Sequence, residues 1–150
     1  MIKTILVPTD GSEHAAKAVG FAADLAAKYG AKIHLLHVLH DLGTGNIPPE
    51  LRSYARLEHV EMTERDVVKS LANEILYQAA QRARQQGADR IETTVQVGDP
   101  AREILAQAEQ TEADLIVMGT RGLSDLQGLL MGSIAHKVSH LAPCSCITVR

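Results

Sequence analysis

The chain has 150 residues, 45% of them hydrophobic and 3% aromatic, and carries a formal net charge of −3. This length fits one domain over residues 1–150, and the core must be built from aliphatic side chains and alanine, which suits helices packed on a parallel sheet. The near-neutral charge argues against nucleic acid or a charged membrane surface as a partner.

Targeting segments are not evident in the sequence. No apolar run approaches the roughly 18 residues that a membrane-spanning helix requires, and the opening MIKTILVPTDGS lacks the long apolar stretch and cleavage site of a signal peptide. The two cysteines, Cys144 and Cys146, point the same way on one predicted strand, where a disulfide between them would be strained. We therefore expect reduced thiols and a cytoplasmic location.

The N-terminal segment predicts a strand, a helix and a second strand. Residues 3–8 (KTILVP) form a short apolar run typical of a buried strand, and the turn-forming pair Asp10-Gly11 closes it. Ser12 is a good N-cap for the alanine-rich helix that follows, and Gly30 is a good terminator for it. Residues 31–38 (AKIHLLHV) then predict the second strand.

The middle of the chain predicts a loop, a long helix and a third strand. Residues 39–49 contain two glycines and two prolines, which favours a loop. Residues 50–86 show a helical pattern that is weak up to about residue 65 and ends at Gly87. Residues 90–97 (RIETTVQV) alternate like a strand.

The C-terminal part completes an alternating pattern of strands and helices. Gly98-Asp99-Pro100 begins a helix, DLIVM at 114–118 is an apolar fourth strand, and a glycine-rich loop leads to a short helix at 133–141 and a strand at 145–149. Strands alternating with helices imply right-handed crossovers. We predict an α/β fold, with a single-domain, open, parallel five-stranded sheet and helices on both faces.

The first candidate functional loop runs from Pro8 to Ser12. In open α/β sheets, ligands bind outside the carboxyl ends of the strands, at the point where the winding direction reverses. The Asp10 carboxylate is suited to accept hydrogen bonds from a ribose or an amine, or to help hold a metal. The alternative is that Asp10 only shapes the turn with Gly11.

The second candidate loop carries the stronger signal. It reads Gly119-Thr120-Arg121-Gly122, nine further residues, and then Gly132-Ser133 at a helix start. Glycines let backbone N–H groups approach phosphate oxygens closely, and a helix N-terminus adds unpaired donors. The loop is longer than a simple connection needs. It matches neither the Walker A motif nor the dinucleotide fingerprint.

The spacing Gly119-x2-Gly122-x9-Gly132-Ser133 resembles the ATP-binding motif of the universal stress protein family. Further segments along the whole chain resemble the same family: ILVPTDGSEHA its first strand and acidic turn, VGDPAREIL its third strand and the next helix, ADLIVMGTRG its fourth strand, and PCSCITVR its closing segment. The closing segment departs from the usual Pro-Cys-Pro-Val at Ser145-Cys146, outside the glycine loop.

The resemblance implies a sheet of order 3-2-1-4-5 that holds ATP across the ends of strands one and four, often with a divalent cation such as Mg²⁺ or Mn²⁺. It also implies the binding residues. They are Pro8, Thr9 and Asp10 at the adenosine, Val38 at the adenine, Met118 and Gly119 at the ribose, and Arg121, Gly122, Gly132, Ser133 and Ile134 at the phosphates.

The resemblance favours a regulatory or stress-response protein that binds ATP, with slow hydrolysis or self-phosphorylation as an alternative for which Asp10 is the one candidate base. A related adenylating enzyme would carry an SGGxDS-like loop after strand one, whereas this chain has PTDGSE. The glycine loop argues against a module that binds no nucleotide. A cyclic adenine nucleotide stays open, because glycines do not reveal the number of phosphates.

Two groups of histidines have a spacing that suggests metal ligands. His34 and His37 are three apart, but on a strand they point to opposite faces, which argues against a shared site. His136 and His140 are four apart on the predicted last helix, a true ligand spacing. No Glu lies between them as in the zinc-protease motif, so we interpret them as solvated residues.

The last strand predicts a homodimer. The order 3-2-1-4-5 places residues 145–149 at an edge of the sheet, and no proline or lysine within them blocks pairing. Two copies are then able to pair about a two-fold axis. The alternative is a monomer whose edge is covered, and no further protein partner can be named.

Overall fold

The computed structural model describes residues 1–40, 64–123 and 131–150. Five strands alternate with four helices in these residues. In chain order they are β1 (Thr4–Pro8), α1 (Glu13–Tyr29), β2 (Lys32–Leu39), α2 (Glu64–Gln85), β3 (Ile91–Val97), α3 (Pro100–Gln110), β4 (Leu115–Gly119), α4 (Ser133–Leu141) and β5 (Ser145–Val149).

The strands form one parallel sheet in the order β3-β2-β1-β4-β5. The predicted α/β fold and strand order are therefore confirmed. The order reverses direction between β1 and β4, because the chain first winds outward to β3 and then returns past β1.

Two separate cores cover the two faces of the sheet. One core combines α1 and α2 with the strand residues Ile5, Val7, Ile33 and Leu35. The other combines α3 and α4 with Leu6, Leu36, Ile116 and Met118. Because successive strand residues point to opposite faces, strands buried on both faces need the continuous apolar runs seen in this sequence.

The ends of α1 follow the predicted capping chemistry. The Ser12 hydroxyl accepts a hydrogen bond of 3.2 Å from the Ala15 N–H, which satisfies a donor that the helix itself cannot pair. Gly30 ends the helix with φ of 65°, a left-handed conformation that glycine adopts without a steric penalty.

Several predicted boundaries differ from the observed ones by one residue. β2 includes Leu39, which we assigned to the following loop, and β4 begins at Leu115 instead of Asp114. The Asp114 carboxylate accepts the N–H groups of Lys3 and Thr4 at 2.7 and 3.0 Å, so this residue fastens β4 to the start of β1. The predicted loop at 41–49 and the weakly patterned stretch at 50–63 lie outside the described residues.

None of the helices in the described ranges is both long enough and apolar enough to cross a membrane.

Candidate functional site

β1 and β4 pair only at their beginnings, which opens the sheet at its carboxyl edge. Their register covers Ile5 with Leu115 and Leu6 with Ile116. In contrast, the pairing of β1 with β2 continues to Pro8, and the pairing of β4 with β5 continues to Gly119. The sheet therefore separates at its topological switch point, which is where ligands bind in open α/β folds.

The loop after β1 lies on one side of this opening and is held by its own side chains. Asp10 Oδ1 accepts a hydrogen bond of 2.9 Å from the Ser12 N–H. Asp10 Oδ2 accepts one of 2.9 Å from the backbone N–H of Leu123, in the loop after β4. The Asp10 carboxylate thus shapes its own turn, which is the alternative role that the sequence offered for it. It also joins the two candidate loops.

Thr120 connects three elements on the other side of the opening. Its N–H donates to the Val149 carbonyl of β5 at 2.8 Å, and its carbonyl accepts the Gly132 N–H at 2.6 Å. Its hydroxyl lies 2.9 Å from Nδ1 of His14 in the first turn of α1. The buried Thr120 therefore brings the two ends of the glycine loop together, with β5 and α1 as supports.

Sequence reasoning did not identify His14 or Thr120 as part of this region. Thr120 lies within the glycine motif, and His14 is two residues after the capping Ser12. The available signal was a hydroxyl inside one motif and an imidazole close to the other. Their hydrogen bond joins positions 106 apart in the chain, and this pairing is visible only in three dimensions.

Gly119 has a packing role that the motif did not predict. A Cβ atom built on it would lie 2.8 Å from the backbone carbon of His14 and 2.9 Å from the Ala15 nitrogen. Real Cβ atoms do not approach backbone this closely, so α1 can cross the end of β4 only where no side chain intervenes. The glycine is therefore required by the fold, independently of any ligand.

The N-terminus of α4 has the features of an anion site. Its N-cap is Gly132, which provides no side-chain hydrogen bond to the first turn, and that turn contains no acidic residue. Ser133 is exposed and Ile134 half-buried at this end. Unpaired N–H groups and the positive end of the helix dipole attract negative charge at such a position.

Arg121 provides a cationic donor in the first part of the glycine loop, next to Thr120. Its Nε atom is buried and has no hydrogen-bond partner in the part of the chain that the structure describes. A buried donor without an acceptor is costly, because it has lost its water without gaining a replacement.

Apolar residues provide the floor of the opening on the face of α3 and α4. Met118 is buried there, and Val38 and Ile134 pack against the same core. These side chains come from the carboxyl ends of two strands and from the start of α4. Three of the predicted site residues therefore belong to one apolar core.

His37 lies on the opposite face of β2 from His34, as predicted. Nδ1 of His37 is 2.7 Å from the Thr9 carbonyl, whereas His34 contacts Gln107 of α3. A cleft of about 550 Å³ opens between α1 and α2, and of the predicted site residues only Thr9 lines it.

The described residues of the predicted site are spread over several elements of the fold. They are at the carboxyl ends of β1, β2 and β4, in the loop after β4, and at the start of α4. Residues 124–130 of the glycine loop lie outside the described ranges. Within those ranges, no three His, Cys, Asp or Glu side chains are grouped so that they would hold a metal ion.

Comparisons with known proteins concern the family and the fold of the whole chain. The family model described as "Universal stress protein family" matches residues 1–150. The universal stress protein YxiE of Bacillus subtilis is 36% identical over 150 residues, which is 100% of both chains. A universal stress protein of Thermus aquaticus is 34% identical over 154 residues and is also covered completely.

Solved structures show the same fold. UspA of Lactobacillus plantarum has a TM-score of 0.79 and 28% identity, with 99% of this chain and 98% of that chain covered. A universal stress protein solved in complex with cAMP has a TM-score of 0.68 and 29% identity, with 99% and 97% covered. The strand order, the glycine loop and the match along all 150 residues together establish that this chain belongs to the universal stress protein family.

Proposed function

We propose that this protein is a regulatory protein that binds ATP across the carboxyl ends of β1, β2 and β4. The observation that carries the proposal is the opening between β1 and β4. The N-cap of α4, Gly132, has no side-chain hydrogen bond to the helix and is bonded to Thr120, directly after β4. A crevice of this kind with a helix N-terminus beside it is the usual site of a nucleotide in open α/β sheets.

The adenosine end would lie at the carboxyl ends of β1, β2 and β4. Thr9 and Asp10 offer polar groups, Val38 provides apolar surface for the adenine, and Met118 provides it for the ribose. A related universal stress protein has been solved with cAMP, and this supports an adenine nucleotide as the ligand class. Pro8 and Gly119 complete the border of the opening.

The phosphate end rests on α4 and on the glycine loop. The first N–H groups of α4, the Ser133 hydroxyl and the Arg121 guanidinium are the donors that would contact phosphate oxygens. The buried Nε of Arg121 would gain the acceptor that it otherwise lacks. Gly122 and Gly132 would let the phosphates approach the backbone closely, and Ile134 would border them at the start of α4.

A divalent cation, Mg²⁺ or Mn²⁺, fits this site only through the nucleotide. Asp10, the carboxylate among the predicted site residues, already accepts two backbone N–H groups. Because Mg²⁺ is commonly held by substrate phosphates and few protein carboxylates, we expect the phosphate oxygens to be its main ligands.

The first test is to identify the nucleotide that co-purifies with the protein, by mass, and to measure ATP affinity by calorimetry. The decisive variant is Gly132→Val. Gly132 has φ of −70° and ψ of 159°, angles that valine also adopts, and the added side chain should block the approach of a phosphate to the backbone. A folded Gly132→Val protein with unchanged ATP affinity would contradict the proposal.

A matched pair of arginine variants separates a local effect from a general loss of charge. Arg121→Gln removes the donor in the loop, whereas Arg84→Gln removes an exposed charge in the last turn of α2. We expect only the first to weaken ATP binding. Parallel titrations with cAMP and GTP distinguish ATP from a cyclic nucleotide and from a guanine nucleotide.

In this proposal the bound ATP has a regulatory role, and the protein is not a dedicated enzyme. We infer a cytoplasmic protein, consistent with two free thiols, that pairs with a second copy through β5. In the described residues β5 pairs only with β4, so its outer edge has backbone groups that a second copy would satisfy.

A further inference from the structure

We propose that His136 and His140 form a surface site for a divalent transition-metal ion of the Ni²⁺, Cu²⁺ and Zn²⁺ class, separate from the nucleotide site. The two rings lie parallel on α4, with 6.3 Å between their centroids and an interplanar angle of 2°. Both side chains are exposed. The proposal is independent of ATP binding.

The position of the pair on the helix explains why the rings meet. Ala135 and Val138 bury the inner face of α4 against the sheet. Residues four apart on a helix lie one above the other, so His136 and His140 share the outer face. Among the described residues, neither ring has a hydrogen-bond or ion-pair partner, so both are available as ligands.

The surrounding charges favour a cation at this position. His140 is in the last turn of α4, where the negative end of the helix dipole attracts positive charge. Lys137, the nearest cation in sequence, turns toward α3, where its Nζ atom lies 3.7 Å from Oδ1 of Asp99. That ion pair offsets the charge that would otherwise repel a metal ion.

The ligand type selects the metal class. Imidazole nitrogens suit Ni²⁺, Cu²⁺ and Zn²⁺, whereas Mg²⁺ and Mn²⁺ prefer oxygen ligands. Exposed rings reorient within nanoseconds, so both can turn a nitrogen toward one ion. With two protein ligands, the ion keeps open positions for water, and its affinity will be lower than in a four-ligand structural zinc site.

The competing thiols are poor ligands in this chain. Burial raises the pKa of Cys144 and of Cys146, and the thiolate is the form that binds a metal. The histidines on α4 are therefore the better-placed ligands on this side of the sheet.

The test is a calorimetric titration of the full chain, free of nucleotide, with NiCl₂. We expect saturable binding of one Ni²⁺ per chain, lost in His136→Asn and in His140→Asn. His40→Asn, which changes an exposed histidine outside α4, is the matched control and should leave the titration unchanged. MgCl₂ should give no binding at these residues.

A second measurement locates the ion directly. Small amounts of CuCl₂ should broaden the backbone amide signals of residues 136–140 before any others in an NMR spectrum. Circular dichroism should show that the variants are folded, because both substitutions are at exposed positions, where changes in stability are small. Unchanged Ni²⁺ binding in both α4 variants, or broadening centred elsewhere, would overturn the proposal.

Discussion

Oδ2 of Asp10 accepts a hydrogen bond of 2.9 Å from the backbone N–H of Leu123, 113 residues further along the chain. The other carboxylate oxygen holds the Ser12 N–H at the same distance. One side chain therefore joins the loop after β1 to the loop after β4.

We expect Asp10→Asn to loosen the glycine loop, because an amide nitrogen cannot accept a hydrogen bond. Loss of one such bond should lower the free energy of unfolding by about 1 kcal/mol and should speed trypsin cleavage after Arg121. Urea denaturation and timed proteolysis measure the two effects. Asp24→Asn, at an exposed position of α1, is the control. Equal cleavage rates in all three proteins would show that the carboxylate does not hold the loop.

The substitution of glycine by alanine should have opposite effects at two positions. At Gly119 a Cβ would lie 2.8 Å from the backbone of His14, which cannot move without displacing α1, so we expect a loss of roughly 1–3 kcal/mol. At Gly20 the nearest atom is the amide of Gln86, at 3.0 Å. That side chain can rotate away, and alanine favours the helix by about 0.5–1 kcal/mol. Chemical denaturation of both variants tests this; a Gly119→Ala protein as stable as Gly20→Ala refutes it.

His34 should make the protein less stable in mild acid. Burial lowers its pKa, only partly opposed by the Glu92 carboxylate, while Lys32 lowers it further. The folded protein therefore binds this proton less readily than the unfolded chain. The stabilisation that comes from neutral His34 is then fully present at a pH above the pKa of this histidine in the unfolded chain. It is lost as the pH falls from that value to the lower pKa of His34 in the folded protein.

The imidazole environment agrees with a neutral ring. Nε2 of His34 lies 2.9 Å from the Thr94 hydroxyl and 3.4 Å from the Gln107 amide nitrogen, which can only donate. We expect His34→Gln to flatten the pH dependence of stability between about pH 7.5 and 5.5, a range that brackets the ordinary histidine pKa. Urea denaturation at both values provides the measurement, and an unchanged slope in the variant would rule out this contribution.

ATP turnover, if it occurs, should be slow compared with the median enzyme rate of about 10 per second. Both carboxylate oxygens of Asp10, the one candidate base, accept hydrogen bonds from backbone N–H groups. These bonds make the carboxylate a weak base for the activation of water. A phosphate-release assay measures the rate. Enzyme-like release that disappears in Asp10→Ala would instead identify a true ATPase.

The proposed dimer through β5 can be tested by a lysine on each edge of the sheet. A lysine on an edge strand disfavours pairing with another strand. Thr148→Lys changes β5, and Thr93→Lys changes β3 at the opposite edge. Light scattering should give a dimeric mass for the unaltered protein and for Thr93→Lys, and a reduced mass for Thr148→Lys. A monomeric unaltered protein at micromolar concentration would reject the dimer.

The sequence alone determined the order and type of the described elements, because strand and helix periods differ and the caps are local. Ser12 and Gly30 predicted the two ends of α1 correctly, because a cap bonds to backbone groups only a few residues away in the chain. The glycine spacing likewise identified the region of the candidate site. Boundaries were less certain at Asp114, whose side chain bonds to the distant start of β1.

Only the tertiary structure decided which distant groups meet. At the carboxyl edge of the sheet β1 and β4 separate, His14 contacts Thr120, and α1 approaches Gly119 closely. Each of these relationships involves segments about 100 residues apart in the chain. No local pattern encodes such contacts, because they depend on the crossing of packed elements. The motif therefore indicated a phosphate-binding loop, while the fold revealed that one of its glycines is also a packing requirement.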